Sequence, residues 1–330
     1  MKKYNIAIVG ATGMVGRTFI KVLEERDLPI GNLYLFSSKN SAGQKIKFLN
    51  KEIEVQELTE NSFDSGIDIA LFSAGGEVSK KYGPIAAKKG VIVVDNSSAW
   101  RMDKDVPLVV PEVNPEDALK NKGIIANPNC STIQSVVPLK IIDDLYGIKR
   151  VVYSTYQAVS GSGVKGVEDL KRGLQGEEPK NYPHPIANNC LPHIDSFLET
   201  GYTKEEEKMI NETRKILNKP NLPITATCVR VPVLNSHSVS INVELEKEPN
   251  LEELKSVFRN SKGVVLLDDV SKNEYPMAII ANDKDEVYVG RIRHDYSLKN
   301  GLNLWVVADN IRKGAATNAV QIVEYLISKK

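Results

Sequence analysis

The sequence predicts an α/β protein in two parts, a first half on a parallel sheet and a second half of α+β type. Three observations carry that prediction. An apolar run, Asn5-Ile6-Ala7-Ile8-Val9, ends in the turn Gly10-Ala11-Thr12-Gly13-Met14-Val15-Gly16. Apolar, strand-like segments then alternate with helical ones as far as Ala126, the pattern of a parallel sheet. From Arg150 onward β-rich runs dominate, which suits a mostly antiparallel sheet.

In the first half, Val15, Phe19, Val22 and Leu23 recur on one helical face, so the opening reads strand, glycine turn, helix. Glycines there let the backbone turn tightly and approach a pyrophosphate at a helix N-terminus, whose open amides bind anions. The spacing GxxGxxG is a variant of the dinucleotide fingerprint. Gly10, Thr12, Gly13, Met14 and Val15 are therefore candidate cofactor contacts. The second strand, Leu33-Tyr34-Leu35-Phe36, ends in Ser37-Ser38-Lys39-Asn40-Ser41, where an NAD-preferring protein carries an acid for the ribose hydroxyl. With no carboxylate to repel a 2′-phosphate, NADP(H) is favoured, and Ser37, Lys39, Asn40 and Ser41 are its candidate contacts; a plain polar loop is the competing reading. Lys45 to Leu58 reads as a hairpin insertion without chemistry. Strands at Asp68–Phe72 and Val91–Asp95 flank a helix near Val78 to Lys89, and the turn before it adds the amide of Gly75 around the cofactor.

The strand Gly123–Ala126 runs into Asn127-Pro128-Asn129-Cys130-Ser131-Thr132, and Ile133, Val136, Val137, Ile141 and Leu145 then predict an amphipathic helix. A thiol at the start of that helix meets unpaired amides and the positive end of the macrodipole, which favour thiolate. Cys130 is a candidate nucleophile; a small buried hydrophobe is the alternative.

Further strands follow at Arg150–Val159, Ile224–Val231, Ser238–Leu245, Val287–Ile292 and Leu302–Ala308, with helices at Val164–Leu174 and Thr203–Leu217 and a Pro-rich loop from Pro179 to Pro192. In the last segment, Ile311 to Ile327, one helical face holds Ala315, Ala319, Ile322, Val323 and Leu326. That face should pack on the first domain, giving a nucleotide-binding domain of residues 1–128 completed by 311–330, and a second domain of 129–310.

Composition narrows the function. The chain has 330 residues, 42% of them apolar and 26% charged, ordinary for a globular protein. Lys plus Arg total 43 against 42 Asp plus Glu, so no long-range field draws nucleic acid or anionic lipid. No run approaches the roughly 18 apolar residues of a membrane helix, and the N-terminal apolar run is too short for a signal peptide; a soluble cytoplasmic protein is the expectation. Three widely spaced cysteines argue against a disulfide framework. Cys190 and His193 lack further paired ligands, so no metal is expected.

GATGMVG, SSKNSAG, NPNCST, YQAVSGSG, NETRKIL and RVPVLNSHS occur in the order seen in aspartate-β-semialdehyde dehydrogenases and span nearly the whole chain, which resembles a bacterial-type member of that family. The resemblance implies a Rossmann domain joined to an α+β catalytic and dimerisation domain like that of glyceraldehyde-phosphate dehydrogenase. It implies that Cys130 attacks L-aspartyl-β-phosphate, expels phosphate and forms a thioester that NADPH reduces to the semialdehyde. His237 then matches the general acid/base, Arg230 the clamp on the substrate carboxylate, and Gln157 the residue that orients the acyl group. Ser160 and Gly161 would lie beside the nicotinamide. Arg101, Asn129 and Lys208 match the phosphate pocket, Glu205 the partner of the substrate ammonium, and Asn310 a cofactor contact. A homodimer or tetramer is implied, as is a place in lysine, diaminopimelate, methionine, threonine and isoleucine biosynthesis.

Beside these stand the readings from the residues alone. His237 is in phase with Val239, Ile241 and Val243 as an edge residue of a strand, and Arg230 could simply pair with an acid. Lys204-Glu205-Glu206-Glu207-Lys208 is by default a solvated charge run, in which Glu205 and Lys208 share a helical face. Seven residues apart on one strand, Arg230 and His237 would face opposite ways, so Pro232 and the stretch to Ser236 should break it. N-acetyl-γ-glutamyl-phosphate reductase, a malonyl-thioester reductase and a non-catalytic NADP-binding sensor are the competing functions.

Overall fold

The computed structural model describes residues 2–329. Its contacts divide the chain into two units, one formed by the residues up to Asn129 with those from Ala315 onward, the other by Cys130–Gly314.

In the first unit, β1 (Tyr4–Val9), α1 (Met14–Glu25) and β2 (Ile30–Ser37) form the opening motif. They are followed by the hairpin β3 (Lys45–Phe48) and β4 (Lys51–Glu57), then β5 (Ile69–Phe72), α2 (Gly76–Lys88), β6 (Ile92–Asp95) and β7 (Ile124–Ala126). The seven strands run in the order β3-β4-β2-β1-β5-β6-β7. The hairpin is more than an insertion, because β4 joins the sheet by pairing in parallel with β2 through Leu35–Val55 to Ser37–Glu57. Only β3, antiparallel to β4, departs from the parallel scheme. Ile6, Ile8, Leu35, Ile69 and Leu71 fill the centre together with Phe19 and Leu23 of α1. Ala319, Val320, Ile322, Val323 and Leu326 of the C-terminal helix Thr317–Ser328 join the same core. That helix starts later than the apolar pattern suggests, since Arg312–Ala316 forms a wider π turn ahead of it.

The second unit begins with α3 (Cys130–Tyr146). Residues 131–139 of it are all buried, so the first half of the expected amphipathic helix is instead enclosed on every side, polar Ser131, Thr132, Gln134 and Ser135 included, while Asp144 is exposed. Ile141 and Leu145, assigned to its apolar face, are only partly buried, while Ile142 and Tyr146 are buried. Then follow β8 (Ile148–Gln157), α4 (Gly163–Leu174), α5 (Lys204–Ile216), β9 (Ile224–Arg230) and β10 (His237–Leu245). The unit ends with α6 (Leu251–Asn260), β11 (Val264–Leu266), α7 (Ala278–Ala281), β12 (Val287–Asp295) and β13 (Gly301–Ala308). The sheet order is β11-β12-β13-β10-β8-β9, a mixed sheet that is antiparallel at three of its five pairings, as the β-rich runs lead one to expect. β10 lies antiparallel to β8 and β13, β12 antiparallel to β13, while β8 with β9 and β11 with β12 are parallel.

Candidate active site

The glycine turn of the first unit is dictated by contact. Gly10 has φ +88, and a Cβ there would stand 2.4 Å from the Ser73 carbonyl oxygen. A Cβ on Gly16 would stand 2.1 Å from the Gly10 oxygen, so α1 packs against the turn at a distance only glycine allows. Gly13 is the N-cap of α1 and uses no side-chain cap, which leaves the amides of Met14 and Val15 in the first helical turn. Around the end of β2, Thr12 Oγ1 lies 2.9 Å from Ser37 Oγ and donates to Ser41 Oγ at 3.4 Å, while Lys39 and Asn40 sit exposed on the same short turn. Gly75, with φ +88, precedes α2, and its Cβ direction is open space. These residues thus come together as a cradle of amides and hydroxyls lacking an acid.

At the end of β6, buried Asp95 accepts from the Ser97 hydroxyl at 2.6 Å and from the Ser97 amide at 3.2 Å. Burial raises its pKa against those bonds and the nearby Arg101 charge. Arg101 is itself buried, its Nε donating to the Asn127 carbonyl and its Nη2 to the Asn96 carbonyl, both at 3.0 Å. Asn129, buried, is the last residue before α3.

In the second unit Cys130 is the first residue of α3 and partly exposed. The backbone of Gly314 covers it: a Cβ on Gly314 would stand 2.9 Å from that of Cys130. The strand break expected between Arg230 and His237 is present, β9 ending at the former and β10 starting at the latter, with Ser236 in the left-handed region at φ +72. Both side chains then converge on one glycine. A Cβ on Gly161 would meet Arg230 Nη1 at 2.9 Å and His237 Nε2 at 3.2 Å.

His237 is fully buried at the first position of β10, in phase with buried Val239, Ile241 and Val243. Its Nδ1 accepts the Ala158 N–H at 2.9 Å, and its pKa lies well below the ordinary histidine value, first because of burial and then because of the Arg230 charge. Arg230 Nη1 donates to the Ala158 carbonyl at 2.7 Å, while its buried Nε has no hydrogen-bond partner among the described residues. A buried guanidinium N–H left open in this way is suited to a carboxylate.

Gln157, buried at the end of β8, accepts from Thr155 Oγ1 at 3.0 Å and donates to Glu205 Oε1 at 3.1 Å. The charge run of α5 is not a solvated face. Glu205 and Glu206 are 5% and 7% exposed and take opposite duties. Glu206 closes a capping box with Thr203 and accepts the Cys228 amide at 3.0 Å, whereas Glu205 reaches Gln157 and also Lys208 at 3.1 Å. Glu207 accepts from Asn211 at 2.8 Å. Glu205 is thus the glutamate that Gln157 meets. Lys208 is shared with Asp195 at 2.8 Å; burial pulls its pKa down, but Glu205 and Asp195 outweigh it and the net shift is upward.

Asn310 follows β13, donates to Ser160 Oγ at 3.0 Å and accepts the Ser236 amide at 2.9 Å, so it fixes the residue before His237. Gln134, Ala158, Asp195 and Gly314 were not foreseen. Gln134 had one usable signal, its place a helical turn beyond Cys130. Among the described residues no group of His, Cys, Asp and Glu is arranged to hold a metal, and no helix is long and apolar enough to cross a membrane.

Family models give the class of protein, a semialdehyde dehydrogenase. Residues 5–121 match the semialdehyde dehydrogenase NAD binding domain and residues 139–313 the semialdehyde dehydrogenase dimerisation domain. The chain belongs to that family, and within it to the aspartate-semialdehyde dehydrogenases. It is 60% identical to the aspartate-semialdehyde dehydrogenase of Aquifex aeolicus over 99% of this chain and 98% of the relative. Aspartate semialdehyde dehydrogenase II of Vibrio cholerae, solved complexed with ASA, superposes with a TM-score of 0.96 at 47% identity, covering 99% of each chain. The Candida albicans aspartate semialdehyde dehydrogenase, solved with NADP, superposes at 0.80 with 26% identity over 99% of each chain.

Proposed function

We propose that this protein catalyses the NADPH-dependent conversion of L-aspartyl-β-phosphate to L-aspartate-β-semialdehyde and phosphate through a thioester on Cys130. The observation that carries the reading is the 60% identity to an aspartate-semialdehyde dehydrogenase over nearly the whole chain. The convergence of Arg230 and His237 on Gly161 gives it a physical footing.

The Cys130 thiolate attacks the β-carbonyl carbon, and the C–O bond to phosphate breaks as the thioester forms. Gln157 orients the acyl group, and Arg230 clamps the α-carboxylate through the N–H groups it leaves open. Glu205 meets the α-ammonium; Lys208, Arg101 and Asn129 receive phosphate. His237 works on the carbonyl oxygen, the acid/base position of the family. When bound, NADP(H) supplies or takes up hydride. Gly10, Thr12, Gly13, Met14, Val15 and Gly75 suit its pyrophosphate, and Ser37, Lys39, Asn40 and Ser41 its ribose phosphate. Ser160, Gly161 and Asn310 suit its nicotinamide. The cradle suits the cofactor, because Gly10 and Gly16 let the turn close against its own backbone, Gly75 opens onto free space, and no acid in Ser37–Ser41 opposes a 2′-phosphate. The Candida albicans relative, solved with NADP, supports the same choice.

We further propose one domain for the cofactor, residues 1–128 with 311–330, and one for catalysis and dimerisation, 129–310. The working form would be a cytoplasmic homodimer serving lysine, diaminopimelate, methionine, threonine and isoleucine biosynthesis. An absorbance assay decides the reaction. Aspartate semialdehyde, NADP and phosphate together should produce NADPH, while N-acetylglutamate semialdehyde, or omission of phosphate, should not. Equal turnover of both aldehydes would refute the assignment, and binding of NADP without turnover would point to a sensor.

A further inference from the structure

The Pro-rich loop from Pro179 to Pro192 has no part in the scheme above, yet it reaches both Arg230 and the turn that carries Gly161. One carboxylate fixes its first residues. Buried Asp169 of α4 accepts the amide of Lys180 at 3.0 Å, those of Asn181 and Tyr182 at 2.7 Å each, and the Asn181 side-chain N–H at 3.0 Å. Burial pushes its carboxyl up, but the three backbone amides outweigh that and the net shift is downward. The loop then lies on α4 where glycines leave room. A Cβ on Gly166 would stand 2.6 Å from Tyr182 Oη, and one on Gly173 would stand 2.8 Å from the Cβ of Ala187. So seated, Tyr182 Oη donates to Ser162 Oγ at 2.8 Å, at the end of the turn Val159–Ser162. Ile186 and Leu191 pack with Val159 and Leu170. At the far end Leu191 and Arg230 exchange both backbone bonds, at 2.9 Å from the Leu191 N–H and 2.8 Å from the Arg230 N–H.

We infer that residues 180–191 form a strap that fixes the spacing between Gly161 and Arg230, with Asp169 and Tyr182 as positioning residues. Its purpose rests on the reading of Arg230 as the clamp on the substrate α-carboxylate. One end of the strap holds the turn, and the other holds the backbone of the arginine. The spacing it sets is narrow, since Arg230 Nη1 lies 2.9 Å from where a Cβ on Gly161 would stand and is bonded to the Ala158 carbonyl at 2.7 Å. A planar guanidinium receives two carboxylate oxygens only in its own plane, so slack in its position costs binding. The inner half of the turn has other supports. Ser160 donates its N–H to the Leu234 carbonyl at 3.1 Å and its Oγ–H to Asn235 at 2.8 Å. Loss of the strap should therefore loosen the outer end of the turn without dismantling it. The strap makes and breaks no covalent bond, so its effect should fall on substrate binding and not on the chemical step.

Tyr182→Phe keeps the ring and removes the hydroxyl bond to Ser162. With aspartate semialdehyde, NADP and phosphate, it should raise KM for the aldehyde about threefold to tenfold, the size of one ordinary hydrogen bond. The kcat and the KM for phosphate should stay within about twofold. Ser162→Ala should match it, and the double variant should add nothing further. An unchanged KM for the aldehyde, a parallel rise in KM for phosphate, a fall in kcat alone, or additive effects would overturn the positioning role. Hydrogen exchange on the unliganded protein tests the mechanics. Asp169→Asn should speed exchange at the amides of Lys180, Asn181 and Tyr182 and also at those of Leu191 and Arg230. Faster exchange confined to the first three would show that the ends are not coupled and would overturn the strap. If that variant does not fold, Tyr182→Phe should still speed exchange at Leu191 and Arg230, and unchanged rates there would overturn it equally. Failure of the unaltered protein to turn over aspartate semialdehyde would count against the reaction, while the exchange pattern would still decide the coupling.

Discussion

The two units build their candidate sites from different material. In the first, the groups on offer are chiefly main-chain amides and small hydroxyls, arranged by glycines whose added Cβ would stand only 2.1–2.4 Å from a carbonyl oxygen. In the second they are buried side chains that hold one another, as Glu205 holds Gln157 and Lys208, and Asn310 holds Ser160 and Ser236. A backbone site follows from local sequence, because the chain that turns is the chain that binds. A side-chain site depends on distant register, and its members are legible only once the sheet is assembled.

The contrast can be broken at several points, the largest at Cys130. Cys130→Ala should lower kcat by on the order of 10^4-fold or more while calorimetry still detects NADP binding; loss of both would mean the sites are not separable. Next is Glu205 against Glu206. Glu205→Gln should cut kcat/KM roughly tenfold to a hundredfold through loss of a buried charge pair, with Tm nearly kept. Glu206→Gln should instead lower Tm, because it weakens the capping box and the acceptor for the Cys228 amide. Identical behaviour of the two variants would erase the distinction.

Gly10→Ala tests the backbone site. Strain at φ +88 and the Ser73 contact should cost about 1–3 kcal/mol, read as a fall in Tm with weakened cofactor binding. Ser37→Asp should shift preference from NADP toward NAD by placing a carboxylate where the 2′-phosphate would lie, seen in the ratio of the two kcat/KM values. The smallest effect is on pH. His237 is depressed in the folded state, so above the ordinary value of about 6.5 both states are neutral. As pH falls below that value, the unfolded chain takes up a proton that the folded one refuses, and stability drops by up to about 1.4 kcal/mol per pH unit. Denaturant unfolding of the protein and of His237→Gln should diverge in that window, the variant being flatter.

Much of the fold was legible, for concrete reasons. The β1 run, the Gly10 turn and the α1 face are consecutive, so one stretch of chain defines strand, turn and helix. The Pro232 interruption was legible too, because strand alternation alone would have set Arg230 and His237 on opposite faces. The hairpin's place in the sheet was not, since parallel pairing of β4 with β2 leaves no mark on β4 itself. Nor was the enclosure of the first half of α3, because the groups that meet its polar Thr132 and Gln134 lie far along the chain at Met209, His237 and Val306. The run Lys204–Lys208 looked solvated for the same reason: the groups that meet Glu205 and Glu206 are contributed by Gln157, Thr203 and Cys228.

One sulfur has a practical use that the chemistry does not touch. Cys228 is sealed within β9, and burial pushes its thiol far up from the usual range. Cys190 is exposed and Cys130 partly so. Thiol counting with a small reagent should therefore saturate at two groups per folded chain, and slow appearance of the third would clock the opening of β9, the edge strand of the six-stranded sheet, under conditions where no denaturant is present.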